Sequence, residues 1–335
     1  MCIAADGGEE IALYFIGVDS GGTKTSFVLC DRRGRILARH RSGSGGFLSS
    51  GEHKIAAMLR EGVAALCAQA GITVEGVAAA ALGFPGYGEA KDSARTIDRL
   101  CEQIFGRGKA QCHCDCYLGW AGSLALQPGI NIVAGTGSIC FGVDDRGRAA
   151  RSGGWGAYCD EGSCRWIGSR LIQTFAKQAD GRMARTALYE RFRTHFALDE
   201  DVHFVGPLNH ELGPSGAKTA QLQVLLKELF DAGDPHAAAI YREAAQELWL
   251  AIGAVAAQLG MAGSSYRVSY SGGLFRSGPC ILGPLGELVS AGGARLVAPR
   301  FAPDLGAVLL AMRSALPGLS AADVQFTELE TTASW

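Results

Sequence analysis

The sequence predicts an α/β protein built from two similar domains, and two observations lead to this prediction. A glycine-rich hairpin at residues 17–25 recurs in altered form at residues 131–138. In each copy an apolar strand and a polar glycine turn follow, and Gly34 and Gly147 lie twelve residues beyond Gly22 and Gly135. The elements of the first half also read β-β-β-α-β-α-β, an order typical of α/β proteins. Internal repetition of this kind predicts the architecture before any single motif does.

In the first half of the chain, we expect one strand on each side of the glycine-rich hairpin turn and then a helix. Five apolar residues spaced three and four apart predict this helix, and Gly71 predicts its end; they are Ile55, Met58, Leu59, Val63 and Leu66. Residues 77–82 read as a buried strand that ends in Gly83, and a short strand is expected around residues 112–115.

The second half begins at the turn of residues 128–131 and repeats this plan with insertions. Helical spacing appears after Ser163, over residues 222–229 and from Ile240 to Leu259, where Gly260 ends the helix. Residues 268–270 then form the counterpart of strand 77–82. About 76 extra residues make the second domain larger. We therefore expect domains at 1–117 and 118–335, with a final helix free to pack back on the first domain.

Composition excludes several classes of function. The 335 residues leave room for about two domains; 48% are hydrophobic, 19% are charged, and the net charge is −2. This balance gives no electrostatic argument for a nucleic-acid or membrane partner. The first ten residues carry no basic side chain, which argues against a signal peptide, and the longest uncharged stretch contains glycine and glutamine. We expect a soluble, cytoplasmic protein whose eleven cysteines are reduced.

Three of these cysteines stand close together in Cys112-His113-Cys114-Asp115-Cys116. The spacing lacks the two-residue gap that zinc ligands usually show. In a strand the three thiols would share one face, with His113 and Asp115 on the other. Buried, packed thiols are therefore the favoured interpretation, with a metal or cluster as the alternative.

The first hairpin turn has the features of an anion site. Gly21 and Gly22 permit positive φ and close approach to the backbone, and Thr23 and Lys24 add donors. A plain Gly-Gly hairpin is the alternative. Asp19 ends the preceding apolar strand, where a carboxylate is costly unless it faces solvent or a cation. Mg²⁺ between this carboxylate and a phosphate would account for both.

Two further segments carry polar side chains that suit chemistry on a sugar. Asp115 stands at the end of a short strand and would accept a proton from a hydroxyl nucleophile, or cap the next helix. Gly153-Gly154-Trp155-Gly156 and Asp160-Glu161-Gly162-Ser163 combine an aromatic face with carboxylates that bind hydroxyls, or form a loop with a capped helix.

Taken together, these segments resemble the N-acetylglucosamine kinase group of the BadF/BadG/BcrA/BcrD ATPase-like family, within the sugar kinase–actin–Hsp70 superfamily. The resemblance covers roughly residues 14–315 and includes SGGLFRSGP at 271–279 and the segment after Pro303. It implies duplicated RNase-H-like (actin-like ATPase) domains with an interdomain cleft that binds ATP and sugar. A homodimer is one assembly that it leaves open.

The resemblance also implies a role for each matched residue. Asp115 would be the catalytic base, and Asp19 would hold Mg²⁺ through water. Gly154, Trp155 and Asp160 would line the sugar. The residues that would contact ATP are Gly21, Gly22, Thr23, Lys24, Gly135, Thr136, Gly137, Ser138, Gly272, Gly273 and Ser277.

The resemblance implies phosphorylation of an amino sugar, with N-acetylglucosamine as the first substrate and its 6-phosphate as product. Hexosamine kinases of the family usually carry an asparagine after the third strand, whereas this chain has Ser-Gly-Ser-Gly-Gly-Phe at 42–47. Glucosamine and N-acetylmuramate therefore stay open as substrates. Two further functions stay open as well, namely an ATPase activator of a 2-hydroxyacyl-CoA dehydratase and a non-enzymatic sugar sensor.

Overall fold

A computed structural model describes residues 13–22, 24–44, 47–89, 91–213, 215–321 and 323–328. The chain divides into two compact units. One comprises the chain up to Leu126 together with the segment from Pro303 onward, and the other comprises Gln127–Ala302. Within the described residues, every helix is too short or too polar to cross a membrane.

The first unit opens with three strands and then alternates helices and strands. Its elements up to the boundary are β1 (Tyr14–Ser20), β2 (Thr25–Asp31), β3 (Arg35–Ser42), α1 (Phe47–Ala70), β4 (Val77–Phe84), α2 (Ser93–Phe105), β5 (Ala110–Cys114) and α3 (Asp115–Ser123). Strands β1 to β3 pair antiparallel, and β4 and β5 add parallel beside β1. The predicted order β-β-β-α-β-α-β is confirmed.

The second unit repeats this plan with more helices. Its elements are β6 (Gly129–Ala134), β7 (Ser138–Val143), β8 (Ala149–Gly153), α4 (Cys164–Ala179), α5 (Ala187–His195), the single turn α6 (Val205–Pro207), α7 (Gly216–Asp231), α8 (Pro235–Leu259), β9 (Arg267–Ser271), α9 (Pro279–Ala291) and β10 (Arg295–Leu296). Strands β6 to β8 pair antiparallel, while β9 and β10 add parallel beside β6.

The two sheets therefore share one topology. The first has the order β11-β3-β2-β1-β4-β5, in which β11 is the last strand of the chain (Thr327–Glu328), and the second has the order β10-β9-β6-β7-β8, read in the opposite direction. In both, the first hairpin strand is central and its parallel neighbour is the fourth strand of the repeat. The duplicated α/β fold expected from the repeated hairpin is confirmed.

After the second unit the chain returns to the first. Helix α10 (Pro303–Ala315) packs on β1, β4 and α3, and β11 (Thr327–Glu328) pairs parallel with β3. The boundary expected between residues 117 and 118 falls inside α3. Because the buried face of α3 packs against α10 and β4, this helix stays with the first unit and the division lies at Leu126.

Each unit has its own apolar core, and the periodic residues found in the sequence contribute to it. Ile55, Leu59 and Leu66 of α1 are fully buried against Phe27 and Leu29 of the first sheet. In the second unit α4, α7 and α8 bury their apolar faces around Ile130 and Ile132 of β6. Ser163 caps α4 by accepting the N–H of Trp166, and Gly260 ends α8 with φ 69°.

The segment around Asp115 differs from its expectation in one respect. Strand β5 ends at Cys114, so Asp115 is the first residue of α3 and Cys116 lies in the first helical turn. The three thiols therefore do not share one strand face. Cys116 is buried, whereas Cys112 and Cys114 are partly buried.

Candidate functional site

In the first unit, Asp19 and Asp115 lie on either side of Gly83. Asp19 near the end of β1 is in register with Gly83 at the end of β4. A Cβ atom placed on Gly83 would lie 3.2 Å from the Cα atom of Asp115. Asp19 and Asp115, the two carboxylates that the sequence indicated, therefore lie close together at the carboxyl ends of β1, β4 and β5. Both side chains are partly buried.

A third carboxylate, Asp304, joins this group from the start of α10. Its Oδ2 atom accepts hydrogen bonds from Ser26 Oγ at 2.7 Å and from Arg39 Nη1 at 3.2 Å. Ser26 is the register partner of Asp19 on β2. A Cβ atom on Gly17 would lie 2.4 Å from the Asp304 carbonyl oxygen, so the start of α10 lies directly on β1.

Sequence reasoning assigned no role to Asp304. Its only signal was an Asp directly after a proline at the start of an apolar helix, 285 residues after Asp19 along the chain. Such a position ordinarily indicates favourable helix-dipole electrostatics and nothing more. The sequence allowed a final helix to pack back on the first domain, but no local pattern indicated that this helix would bring Asp304 to β1.

The grouping of carboxylates changes their proton affinity. Burial, followed by the charges of Asp115 and Asp304, raises the pKa of Asp19 to about 7, and the charge of Lys24 partly opposes this rise. Burial also raises the pKa of Asp115 to about 6, against the hydrogen bond that its Oδ1 atom accepts from the N–H of Cys116 at 3.0 Å. The Glu89 carboxylate adds to this rise. A cation bound here would relieve the repulsion.

The first hairpin turn lies beside Asp19 with its backbone accessible. Gly21 N–H donates to the Lys24 carbonyl at 2.8 Å and closes the turn. Gly22 and Lys24 are exposed, as a turn that binds an anion requires. Thr23, which the sequence also indicated as a donor, lies outside the described residues.

The second hairpin turn is closed in the same way and is covered by the loop that follows β8. Gly135 N–H donates to the Gly137 carbonyl at 2.8 Å, and Thr136 is exposed. A Cβ atom on Gly137 would lie 2.4 Å from Asp160 Oδ2, so only glycine leaves room for this carboxylate. The structure therefore brings Asp160 directly onto the predicted phosphate turn of the second unit.

Hydrogen bonds of Asp160 and Ser138 connect the second hairpin turn to the loop that follows β8. Asp160 Oδ1 accepts the N–H of Gly156 at 3.0 Å, and hydrogen bonds from the backbone of Ser138 and Trp155 oppose the rise in its pKa that burial causes. Ser138 Oγ donates to the Glu161 carbonyl at 2.6 Å, and Gly154 N–H donates to the Ser138 carbonyl at 2.9 Å. The buried Ser138 side chain therefore points into the loop.

Trp155 lies in the exposed part of this loop, and its side chain is 77% exposed. The guanidinium carbon of Arg151 lies 5.9 Å from the centre of its ring. Beside it is a cavity of about 260 Å³ that Ser138, Ile139, Gly153, Trp155, Glu161 and Glu247 help to line. An exposed aromatic face next to carboxylates has the composition of a sugar site, with a rigid apolar surface and polar groups around it.

The third predicted segment forms a tight turn after β9. Gly272 has φ 104°, and a Cβ atom there would lie 2.2 Å from the Ala134 carbonyl oxygen at the end of β6. Gly272 and Gly273 are exposed, whereas Ser277 is buried. Ser277 Oγ accepts a short hydrogen bond from Gln223 Nε2 and a bond of 3.5 Å from the hydroxyl of Tyr241. Ser277 thus holds the turn against α7 and α8.

The metal ligands available in each unit are few. Within the part of the chain that the structure describes, no cluster of three or more His, Cys, Asp or Glu side chains is arranged to hold a metal ion. Asp19 and Asp115, beside a turn that can bind an anion, do fit Mg²⁺. This ion usually takes one or two carboxylate ligands and fills its other positions with water and phosphate oxygens.

Comparison with known proteins decides the family. Residues 16–311 match the model of the BadF/BadG/BcrA/BcrD ATPase family. The chain belongs to this family.

Two relatives of this BadF/BadG/BcrA/BcrD family member are amino-sugar kinases by name. The chain is 28% identical over 271 residues to an N-acetylmuramic acid/N-acetylglucosamine kinase of Clostridium acetobutylicum, covering 79% of this chain and 86% of that protein. It is 28% identical over 312 residues to an N-acetyl-D-glucosamine kinase of Dictyostelium discoideum, covering 90% and 98%.

Solved structures share the fold of this chain. A structure from Chromobacterium violaceum described as an N-acetylglucosamine kinase superposes with a TM-score of 0.73 at 28% identity, covering 89% of this chain and 98% of that one. A ROK-family glucokinase from Streptomyces griseus shares the fold, with a TM-score of 0.58 at 19% identity, covering 91% and 100%.

Proposed function

We propose that this protein is a sugar kinase that transfers the γ-phosphoryl group of ATP to the 6-hydroxyl of N-acetylglucosamine. The observation that supports this most is the placement of Asp19 and Asp115 around Gly83, beside an accessible Gly-Gly turn. The two curated relatives, both amino-sugar kinases, support the acceptor class.

Asp115 is the proposed base. A sugar hydroxyl is a weak nucleophile, and it must lose its proton as the new P–O bond forms. Asp115 stands at the first turn of α3 with one oxygen held by the Cys116 N–H, which leaves its other oxygen to accept that proton. A pKa of about 6 keeps most of this carboxyl ionised at neutral pH while raising its basicity.

Asp19 is the proposed magnesium-facing group. When bound, Mg²⁺ would neutralise phosphate charge, which is a large part of catalysis in phosphoryl transfer. Asp19 would hold it through water, and Lys24 in the adjacent turn would meet the phosphates. Asp304 is engaged by Ser26 and Arg39, so we assign it the role of positioning β1 and β2 around Asp19.

The glycine turns are the proposed nucleotide contacts. The exposed backbone at Gly22 and Thr136 and the partly exposed backbone at Gly21 suit phosphate oxygens, and exposed Gly272 and Gly273 suit the adenosine. Because the Ser138 and Ser277 side chains are buried and hydrogen-bonded inside the second unit, we expect these two to shape their turns rather than to donate to ATP.

The loop after β8 is the proposed sugar site. Trp155 would stack on the sugar, Gly154 would allow close approach, and Asp160 would accept hydrogen bonds from the sugar hydroxyls. Although Asp160 already accepts backbone hydrogen bonds, a carboxylate offers about four acceptor positions and has room for a hydroxyl donor.

The decisive experiment measures ADP release by purified protein with Mg-ATP and each of N-acetylglucosamine, glucosamine, N-acetylmuramate and glucose. We expect N-acetylglucosamine to give the highest kcat/KM. N-acetylmuramate is the second candidate, because the Clostridium acetobutylicum relative is named for both sugars. ADP release that none of the four sugars stimulates would refute the proposal.

The same preparation tests the remaining expectations. A dehydratase activator requires an iron–sulfur cluster, so stoichiometric iron would favour that function over a kinase. Light scattering measures whether the chain is a homodimer, as the family resemblance allows. We propose no nucleic-acid or membrane partner, and we place the reaction in the cytoplasm, where eleven cysteines would stay reduced.

A further inference from the structure

Two thiols lie in contact on either side of the proposed base. Cys114 Sγ and Cys116 Sγ are 3.0 Å apart, about 1 Å more than the length of a disulfide bond. Cys114 ends β5 and Cys116 lies in the first turn of α3, so the bend between strand and helix brings their side chains together. Asp115 is the residue between them.

The position of Asp115 depends on this same bend. Its Oδ1 atom accepts the N–H of Cys116, and its Cα atom would lie only 3.2 Å from a Cβ atom on Gly83. The backbone of the segment therefore has little freedom against β4. A covalent link between the two sulfurs would have to turn the backbone of residues 114–116, and the Asp115 carboxylate would turn with it.

We propose that Cys114 and Cys116 are a modification site at which a small-molecule disulfide oxidises the two thiols to a reversible disulfide bond, and that this bond turns Asp115 away from the acceptor hydroxyl. The formation of the disulfide is inferred from the contact between the two sulfur atoms alone. The second half of this proposal rests on the proposed kinase function, since it assigns a role to Asp115.

The reaction balances when the oxidant is a small-molecule disulfide such as oxidised glutathione. The partly exposed Cys114 sulfur, as thiolate, attacks one sulfur of the oxidant, which breaks the oxidant's S–S bond and releases one small thiol. The Cys116 sulfur then attacks Cys114 Sγ and releases the second small thiol. Two protons and two electrons pass from the protein to the oxidant, and a dithiol reductant reverses both steps.

Other thiols must be removed from the test because they could react first. Cys159 is exposed and adjoins Asp160, and Cys112 is partly exposed and lies two residues before Cys114. The reference protein is therefore Cys112→Ser/Cys159→Ser, whose own activity is measured rather than assumed.

The first readout is the mass of a peptide. The reference protein is treated with oxidised glutathione, alkylated, and cleaved after Lys109 and Tyr117, which yields a peptide holding only Cys114 and Cys116. We expect it to be 2 Da lighter and unalkylated, and to become alkylated after dithiothreitol. A peptide that stays fully alkylated after oxidation would overturn the proposal. This readout needs no substrate, so failure of the kinase function would leave it standing.

The second readout is turnover. Because a general base contributes about 10²–10⁴ in rate, oxidation should lower kcat at least tenfold, with recovery in dithiothreitol. Adding Cys114→Ser to the reference should abolish this sensitivity, and Cys116→Ala provides the same test if the first variant folds poorly. A disulfide that forms with kcat unchanged would overturn the coupling to Asp115.

Discussion

At the scale of single residues, the first unit concentrates negative charge where a folded chain would ordinarily avoid it. Asp19, Asp115 and Asp304 meet at one edge of the sheet, and only Lys24 opposes their combined effect on Asp19. Repulsion among these carboxylates lowers the stability of the folded protein. Such groups of like charge are found in functional sites, where they bind a cation and phosphates. The cost should be measurable in the ligand-free protein.

The substitution Asp19→Asn tests that cost. The folded-state pKa of about 7 lies above the unfolded value near 4, so the folded protein binds more protons between these limits and its stability falls as pH rises through them. At pH 7.5 without ligand we expect Asp19→Asn to be more stable by on the order of 1–3 kcal/mol. This corresponds to a rise in Tm of several degrees.

The control is the exposed Asp145→Asn, which should leave Tm unchanged. The gain from Asp19→Asn should vanish near pH 4, where the native carboxyl is protonated. A destabilised Asp19→Asn protein at pH 7.5 would contradict the idea that this charge is unfavourable in the folded state.

The proposed base makes a separate prediction about pH and rate. Asp115 must be ionised to accept a proton, so kcat/KM should rise with pH along a limb whose midpoint is near 6. Asp115→Asn keeps the shape of the side chain but removes the basic oxygen. We expect kcat to fall by about 10²–10⁴ and the acid limb to disappear, with ATP affinity within a few-fold of wild type.

Asp160→Asn is the matched comparison, because we expect it to raise the KM for sugar more than it lowers kcat. Near-normal kcat in Asp115→Asn together with loss of kcat in Asp160→Asn would reverse the two assignments. The two profiles would then identify Asp160 as the base.

At the scale of elements, local patterns predicted most of the helices and strands but not every boundary. The spacing in α1, α4, α7 and α8 was sufficient because each helix buries one apolar face. The turn from β5 into α3 was missed, since Cys-His-Cys-Asp-Cys fits a strand as well as a helix start. The family resemblance assigned Ser138 and Ser277 to ATP, because a sequence places a hydroxyl in a turn but does not determine which way it points. In the structure both hydroxyls are hydrogen-bonded inside the second unit.

The turn after β9 offers the sharpest prediction at this scale. Gly272→Ala would place a Cβ atom 2.2 Å from the Ala134 carbonyl oxygen in a backbone conformation that L-residues rarely adopt. Gly273→Ala would meet no atom within 4 Å. We expect Gly272→Ala to lose about 2 kcal/mol or more of stability, and Gly273→Ala to lose less than about 1 kcal/mol.

Urea denaturation of the two variants measures this difference. If Gly273 contacts the adenosine as proposed, Gly273→Ala should nonetheless raise the KM for ATP. Equal stability of the two variants would mean that the close approach of Gly272 to β6 does not constrain the turn.

At the scale of the whole molecule, the repeated hairpin was the most reliable signal in the sequence. It predicted two sheets of one topology, and β1-β2-β4 and β6-β7-β9 are arranged alike. The repeated hairpin did not predict the contacts between distant parts of the chain. Asp304 reaches β1, and Arg39 pairs with both Asp304 and Glu328, only because the chain returns to the first unit after residue 302.

The last prediction concerns the response of the whole chain to nucleotide. A ligand that binds only the folded state stabilises it by mass action, by about 2.7 kcal/mol when its concentration is 100 times Kd. Mg-ATP at millimolar concentration should therefore raise Tm by several degrees. Asp19→Asn should keep a shift with ATP but lose the additional shift that Mg²⁺ gives, because it lacks the carboxylate proposed to face the metal. Calorimetry with Mg-ATP gives Kd independently. If wild-type protein shows neither a thermal shift nor a heat of binding, the glycine turns of the two units do not bind nucleotide, and the kinase proposal fails with them.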